Sequence, residues 1–185
     1  MIGVRPARSD DARDIARIEV ETWQTTYAGM LTDHALVGMS VTRQGHLWAR
    51  VLRPGHGVWV WEEEPHGLLG FGHCGRHRSP SLGFDGEIYM LYVLPDAQGR
   101  GIGRQLLLAM FDSLRDSGCR AALVWVVRAN PSRFFYERMG GKLVQQQQMP
   151  FGGKDVDVLG YGWNDLGSTG HPCKDKAARK PPGER

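Results

Sequence analysis

The stretch of this chain whose chemistry is easiest to read is Gln98-Gly99-Arg100-Gly101-Ile102-Gly103-Arg104. Three glycines at alternate positions strip the segment of side-chain bulk, so a ligand can come close to the backbone. The next residues have helical spacing, with Leu106, Leu107, Met110 and Leu114 on one side. The first N–H groups of such a helix have no intrahelical partner and sit at the positive end of its dipole. A pyrophosphate satisfies both conditions. Arg100 and Arg104 would add charge-assisted hydrogen bonds. Other phosphate motifs fit less well. A P-loop needs Gly-Lys-Ser/Thr, but Gly103 is followed by Arg104-Gln105. A dinucleotide fold needs G-x-G-x-x-G and an acidic residue about 20 positions on. Here the spacing is G-x-G-x-G and the region around Leu123 is apolar. A glycine-rich turn without a ligand is the remaining alternative, and the flanking strand, helix and two arginines weigh against it.

The elements that must position this loop alternate between strands and helices. Ile2 to Pro6 reads as a strand. Ser9 is placed to cap a helix, with Asp10 and Asp11 in its first turn and Ile15, Ile18 and Trp23 at helical spacing. A second helix is expected from Val41 to Leu52, with Leu47 and Val51 on its apolar side. Val58 to Trp61 and Leu68 to Cys74 read as strands, joined by a turn over Glu62 to Gly67. Glu87 to Leu94 is a strand stopped by Pro95, Gly101 to Ser117 a helix ended by Gly118, and Ala121 to Val127 an apolar central strand. A helix is expected over Pro131 to Met139, capped by Asn130, with Pro131 in its first position. Leu143 to Met149 and Val156 to Tyr161 suit a closing hairpin across Pro150 to Gly153. The order is that of an α/β protein, and Glu87 to Val127 forms a strand–helix–strand unit long enough for a right-handed parallel crossover.

With the elements in place, the loop reads as more than a phosphate cradle. Gln98-x-x-Gly101-x-Gly103 resembles the Q/R-x-x-G-x-G/A signature of the GNAT superfamily of N-acetyltransferases. Leu91-Tyr92-Val93-Leu94-Pro95 is similar to that family's cofactor-binding strand. Asn130-Pro131-Ser132-Arg133-Phe134-Phe135-Tyr136-Glu137-Arg138-Met139-Gly140 is similar to its second cofactor motif. The resemblance spans about Val4 to Trp163. It implies an α/β (α+β) fold with a mixed sheet of six or seven strands, splayed between the fourth and fifth, and about four helices.

The resemblance also implies roles. Acetyl-CoA is the acetyl donor and no metal is needed. Its pantetheine arm pairs with Leu91, Tyr92 and Val93 and is hydrogen-bonded by Asn130, with Ser132 at the motif's usual small residue. Its diphosphate rests on Gln98, Gly99, Arg100, Gly101, Ile102, Gly103 and Arg104. Tyr136 contacts the cofactor and protonates the departing thiolate. Glu87 takes the amine's proton; by strand alternation it would share a face with Tyr89, Leu91 and Val93. His73, whose side chain titrates near neutrality, stands second for that role, ahead of His77 and Asp85, and the resemblance also allows for no dedicated base. Trp23 and Tyr27, with Met30, face the acceptor. The acceptor is a primary amine on a small molecule, peptide or protein, acetylated directly in a ternary complex. A domain that binds acetyl-CoA without turnover, as a sensor or interaction module, is the alternative. Similar proteins often pair, which makes a homodimer a candidate assembly.

Composition bounds the rest. The 185 residues suit one domain, placed at 1–164, with a polar tail over 165–185 expected to be disordered. The net charge of +3 includes +2 from that tail, where five basic residues meet three acidic ones. No dense basic stripe remains to hold nucleic acid. Cys74, Cys119 and Cys173 match no metal spacing and read as reduced thiols. Neither a membrane span nor an apolar leader is visible, so a cytoplasmic location is expected.

Overall fold

Period-two and period-3.6 patterns resolve into seven strands and five helices among the described residues, which are 2–53, 55–78 and 83–167 of a computed structural model. The order is β1 (Ile2–Pro6), α1 (Ala12–Thr26), α2 (Asp33–Val37), α3 (Val41–Val51), β2 (Val58–Glu63), β3 (Gly67–Arg76), β4 (Gly86–Val93), α4 (Ile102–Asp116), β5 (Ala122–Val127), α5 (Arg133–Arg138), β6 (Lys142–Phe151) and β7 (Lys154–Trp163). The strands form one mixed sheet in the order β1-β2-β3-β4-β5-β7-β6. Only β4 and β5 run parallel, as the crossover through α4 requires. The mixed sheet expected to have six or seven strands has seven, and its parallel pair is the expected fourth and fifth.

Two layers of helix cover the sheet. On one face α4 lays down Leu106, Leu107, Met110, Phe111 and Leu114, each at most 1% exposed. They pack with Ile88, Val124, Tyr161 and Trp163. Burying each such side chain contributes about 1.5–3 kcal/mol, so this stripe anchors the helix whose first turn holds the loop. On the other face Ile15, Ile18 and Trp48 of α1 and α3 pack against Val60 and Phe71.

Several boundaries differ from the sequence reading. Ser9 does not cap α1. Residues Ser9–Asp11 make a 3-10 turn, and Asp11 reaches back to the Arg8 N–H at 2.6 Å while pairing with Arg5 at 2.7 Å. In α3 the buried residue is Trp48, and Leu47 and Val51 are 49% and 37% exposed. A short helix with one large aromatic needs no further apolar stripe. Glu62 and Glu63 extend β2 rather than turning, because Arg5 and Arg100 hold their carboxylates. Residues 131–132 precede α5, since the Asn130 Oδ1 accepts the Ser132 N–H at 2.8 Å in a local turn. The last hairpin turns on Gly152 and Gly153 alone, at φ +58° and +83°, as a two-residue turn with both residues left-handed demands. Leu166 is fully buried and its N–H bonds to the Arg120 carbonyl, so the core reaches past position 164. The remainder of the expected tail, with Cys173, lies outside the described residues; Cys74 and Cys119 are free thiols.

Candidate active site

The parallel contact between β4 and β5 is short. It pairs Gly86, Glu87 and Ile88 with Ala122, Leu123 and Val124, and then the strands diverge. From Met90 to Val93, β4 is paired only to β3, which leaves its other edge facing the gap. A cavity of about 570 Å³ fills that gap and passes from one sheet face to the other. This is the size range of small-molecule sites.

At the α4 end the wall is backbone. Gly99 and Gly101 have φ of +74° and +82°, which only glycine adopts without strain. Gly103 differs. Its φ is not positive, and an added Cβ would meet Phe135 at 3.6 Å and Val93 at 3.9 Å, both ordinary contacts. The protein's own packing does not require glycine there, and a ligand lying against the helix start would. Ile102, Gly103 and Arg104 present their N–H groups in the first turn, before the ladder begins with Gln105 N–H on the Gly101 carbonyl. Gln98 ties the loop to β4 by donating to the Val93 carbonyl at 3.1 Å. These groups suit a diphosphate.

Deeper in the gap the wall is aromatic. Tyr136 of α5 is 6% exposed and lines the cavity from one face. Tyr27, just after α1, lines it from the other, with Asn130 and Tyr92 beside its hydroxyl. Trp23 donates its indole N–H to the Tyr92 hydroxyl at 3.0 Å. Burial pushes the Tyr136 phenol well above its usual pKa, and the neighbouring Tyr27 adds to the effect. Tyr136 therefore keeps its proton at neutral pH. Thr22 and Thr26 complete the α1 side, and the buried Thr22 hydroxyl oxygen has no hydrogen-bond partner among the described residues.

This geometry has counterparts among known proteins. Residues 14–141 match the acetyltransferase (GNAT) family. The chain belongs to that family. The uncharacterized N-acetyltransferase YuaI of Bacillus subtilis (strain 168) is 34% identical over 167 residues, 90% of this chain and 95% of its own. The PaiA N-acetyltransferase of Thermoplasma acidophilum, crystallised with coenzyme A, superposes with a TM-score of 0.66 at 19% identity, over 88% of this chain and 99% of its own. YncA of Salmonella typhimurium, solved with its cofactor acetyl-CoA, gives 0.65 at 22% identity, over 92% and 97%. The protein is thus an acetyltransferase with the GNAT fold.

Not every residue singled out from the sequence reaches the cavity of this GNAT enzyme. Arg100 turns away and pairs with Glu63 at 2.7 Å, leaving Arg104 to line the site. Trp23 supports Tyr92, Tyr27 and Phe151 from behind and does not line the cavity. Met30 likewise packs behind it, beside Tyr27.

Glu87 is the largest departure. It lies in the paired part of β4, is 3% exposed, and is held by the Arg78 guanidinium and the Arg78 N–H. A bulge explains why alternation misplaced it. Between β3 and β4 the register jumps from His73↔Met90 to Cys74↔Ile88, so Tyr89 is an extra residue. Ile88 and Leu91 consequently share the α4 face. Tyr89 packs on His73, which in turn packs on Trp48 of α3. The set Glu87, Tyr89, Leu91, Val93 is split between faces. His73 is wedged between those two rings and does not line the cavity. Burial, then the nearby His56, lower its pKa to about 4. Asp85 caps the Arg120 and Ala121 N–H groups, and the His77 N–H bonds to the Asp85 carbonyl, so both serve the loop.

Thr22, Thr26, Tyr89, Trp125 and Phe135 are wall residues that the sequence reading did not select. One signal was present: the stripe Ile15, Ile18, Thr22, Thr26 continues at helical spacing while turning from apolar to polar. A buried stripe that becomes polar before its helix ends is where a core gives way to a wet cavity.

Proposed function

We propose that this GNAT enzyme moves the acetyl group of acetyl-CoA to a primary amine by direct attack within a ternary complex. The observation that carries the reading is one cavity with a backbone anion cradle at one end and a protonated, buried tyrosine in its wall. The diphosphate rests on the N–H groups of Ile102, Gly103 and Arg104, with the Arg104 guanidinium beside it. Gly103 supports this, since the surrounding protein atoms leave room for a Cβ there and do not themselves call for glycine. The pantetheine arm lies along the unpaired edge of β4 from Leu91 to Val93 and passes Asn130. When bound, acetyl-CoA supplies an activated carbonyl and a thiolate leaving group.

The chain's own contribution is orientation first, for which aligned groups supply about 7–11 kcal/mol. A backbone N–H on the open edge of β4 polarises the carbonyl as an oxyanion hole does. Tyr136 then gives its proton to the sulfur as the C–S bond breaks. Its presence in the wall favours turnover over passive binding, which needs no proton donor. The protein works as an intracellular enzyme in this reading, and no helix among the described residues is long and apolar enough to cross a membrane. The test has two arms. Calorimetry with acetyl-CoA should show micromolar or tighter binding, and amines should release free thiol in proportion to acetylated product. Binding without amine-dependent thiol release would overturn catalysis; absence of binding would overturn the site itself.

A further inference from the structure

The acceptor end of the cavity is formed by Thr22, Thr26, Tyr27, Tyr89, Tyr92 and Trp125. It is aromatic and hydroxylic, and it is uncharged. Among the described residues no Asp, Glu or His lines any part of the cavity, and its two charged residues, Arg104 and Arg138, belong to the α4 and α5 end. The titratable groups just behind the wall are engaged. Glu19 of α1, beneath Tyr92, accepts the Trp48 indole N–H at 2.7 Å. Glu87 of β4 is held by Arg78. His73 of β3 is enclosed by Trp48 and Tyr89. Burial pushes the four tyrosine hydroxyls around the gap above their ordinary range, so all four stay protonated near neutral pH and none is a resting base.

An incoming amine meets two constraints. A wall without carboxylates offers nothing to a second positive charge, and desolvating such a charge is costly. A wall without a base cannot strip a proton from a strongly basic ammonium. The reaction itself needs no net proton acceptor if the amine arrives neutral. Nitrogen attacks the thioester carbon, the C–N bond forms and the C–S bond breaks; Tyr136 gives its proton to the sulfur, and the proton that nitrogen loses restores the Tyr136 phenol, so no net proton acceptor is used. At pH 7.5 an α-amino group, with a pKa of about 7.7–8.0, is roughly a quarter or more free base. A lysine-type amine at about 10.4 is only about 0.1% free base.

Resting on the acetyl-transfer reading, we infer that the acceptor is a weakly basic primary amine of the α-amino type. It carries an apolar or aromatic side chain and a neutral carbonyl, and no second cationic centre. Aromatic rings stack on such a body, and no cation lines this end to receive a free carboxylate: Arg78, 4.8 Å from the Tyr89 ring centre, is paired with Glu87 and does not line the cavity.

The experiment measures kcat/KM from pH 6 to 10 for phenylalanine amide, phenethylamine, Nα-acetyl-lysine amide and spermidine, with phenylalanine as the carboxylate control. Phenylalanine amide should exceed both the lysine compound and spermidine by at least about 30-fold at pH 7.5, from the difference in free-base fraction. The rising limb of each profile should shift with the acceptor's own pKa. Thr26→Asp should raise the spermidine to phenylalanine-amide ratio about tenfold, as a new carboxylate receives the second charge. Limbs fixed at one pH for every acceptor would reveal a protein base, and loss of the limb in Glu19→Gln would name it. That outcome, or equal use of spermidine, overturns the inference while leaving acetyl transfer intact. No thiol release with any amine would overturn both.

Discussion

The two ends of the cavity are built in opposite ways. The α4 end is contiguous: the run Gln98 to Arg104 supplies a cradle whose working groups are mostly main-chain N–H. The acceptor end gathers side chains from α1, β4 and β5, and the segment after α1, none adjacent in sequence to the cradle. A backbone site depends on glycine and on helix geometry, both of which leave local signatures. A side-chain site depends on which residues a sheet register happens to turn inward. The first is robust to changes in surrounding side chains; the second changes with each side chain that the register presents.

Predictions that press on this difference can be ranked by size. The largest concerns the waist between the two ends. Tyr136→Phe should lower kcat by about a hundredfold or more, in the range of general-acid contributions, while the acetyl-CoA Kd stays within about threefold. Equal loss in both would make Tyr136 a wall residue only. Next, Gly103→Ala should separate binding from folding. Its Cβ makes only ordinary contacts, with Phe135 at 3.6 Å and Val93 at 3.9 Å, so the thermal midpoint should hold or rise slightly. Coenzyme A affinity should nonetheless drop about 10–100-fold, the loss of one or two charge-assisted contacts. A fall in Tm with affinity unchanged would refute the cradle.

Smaller effects distinguish the two arginines. Arg104→Ala should weaken coenzyme A about tenfold by calorimetry, the scale of one charge-assisted contact. Arg100→Ala should cost no more than about threefold, because Arg100 is committed to Glu63. Reversal of that ranking would mean the Glu63 pair opens to admit the cofactor. A separate effect, on stability and not on binding or turnover, lies behind the acceptor wall. His73 has a folded pKa of about 4 against about 6.5 unfolded. Below about pH 6.5 the unfolded chain takes up a proton that the folded chain refuses. Stability should therefore be full above that pH and fall by up to about 3 kcal/mol as pH drops toward about 4. His73→Gln should flatten this slope in chemical denaturation without moving the pH profile of turnover. A shifted turnover profile would return His73 to the list of bases.

Much of the fold was legible because its signals are local. The stripe of α4, the apolar run of β5, and the left-handed glycines that break or turn the chain all follow from residue type and spacing. The family resemblance rested on the same contiguous segments, and they are the ones that line the cradle. Glu87 was misread for the opposite reason. Its face depends on one extra residue, Tyr89, in the pairing of β4 with β3, and nothing in Glu-Ile-Tyr-Met-Leu reveals a bulge.

The sequence by itself determined that a helix would start bare-ended beside three glycines, and that a strand would lead into it. Those are short-range consequences of backbone freedom and hydrophobic period. Only the tertiary structure decided that Arg100 would turn to Glu63, that Arg78 would claim Glu87, and that Thr22, Tyr27 and Trp125 would meet around one uncharged space. Those outcomes depend on contacts between positions far apart in the chain, which folding selects by packing the whole sheet at once.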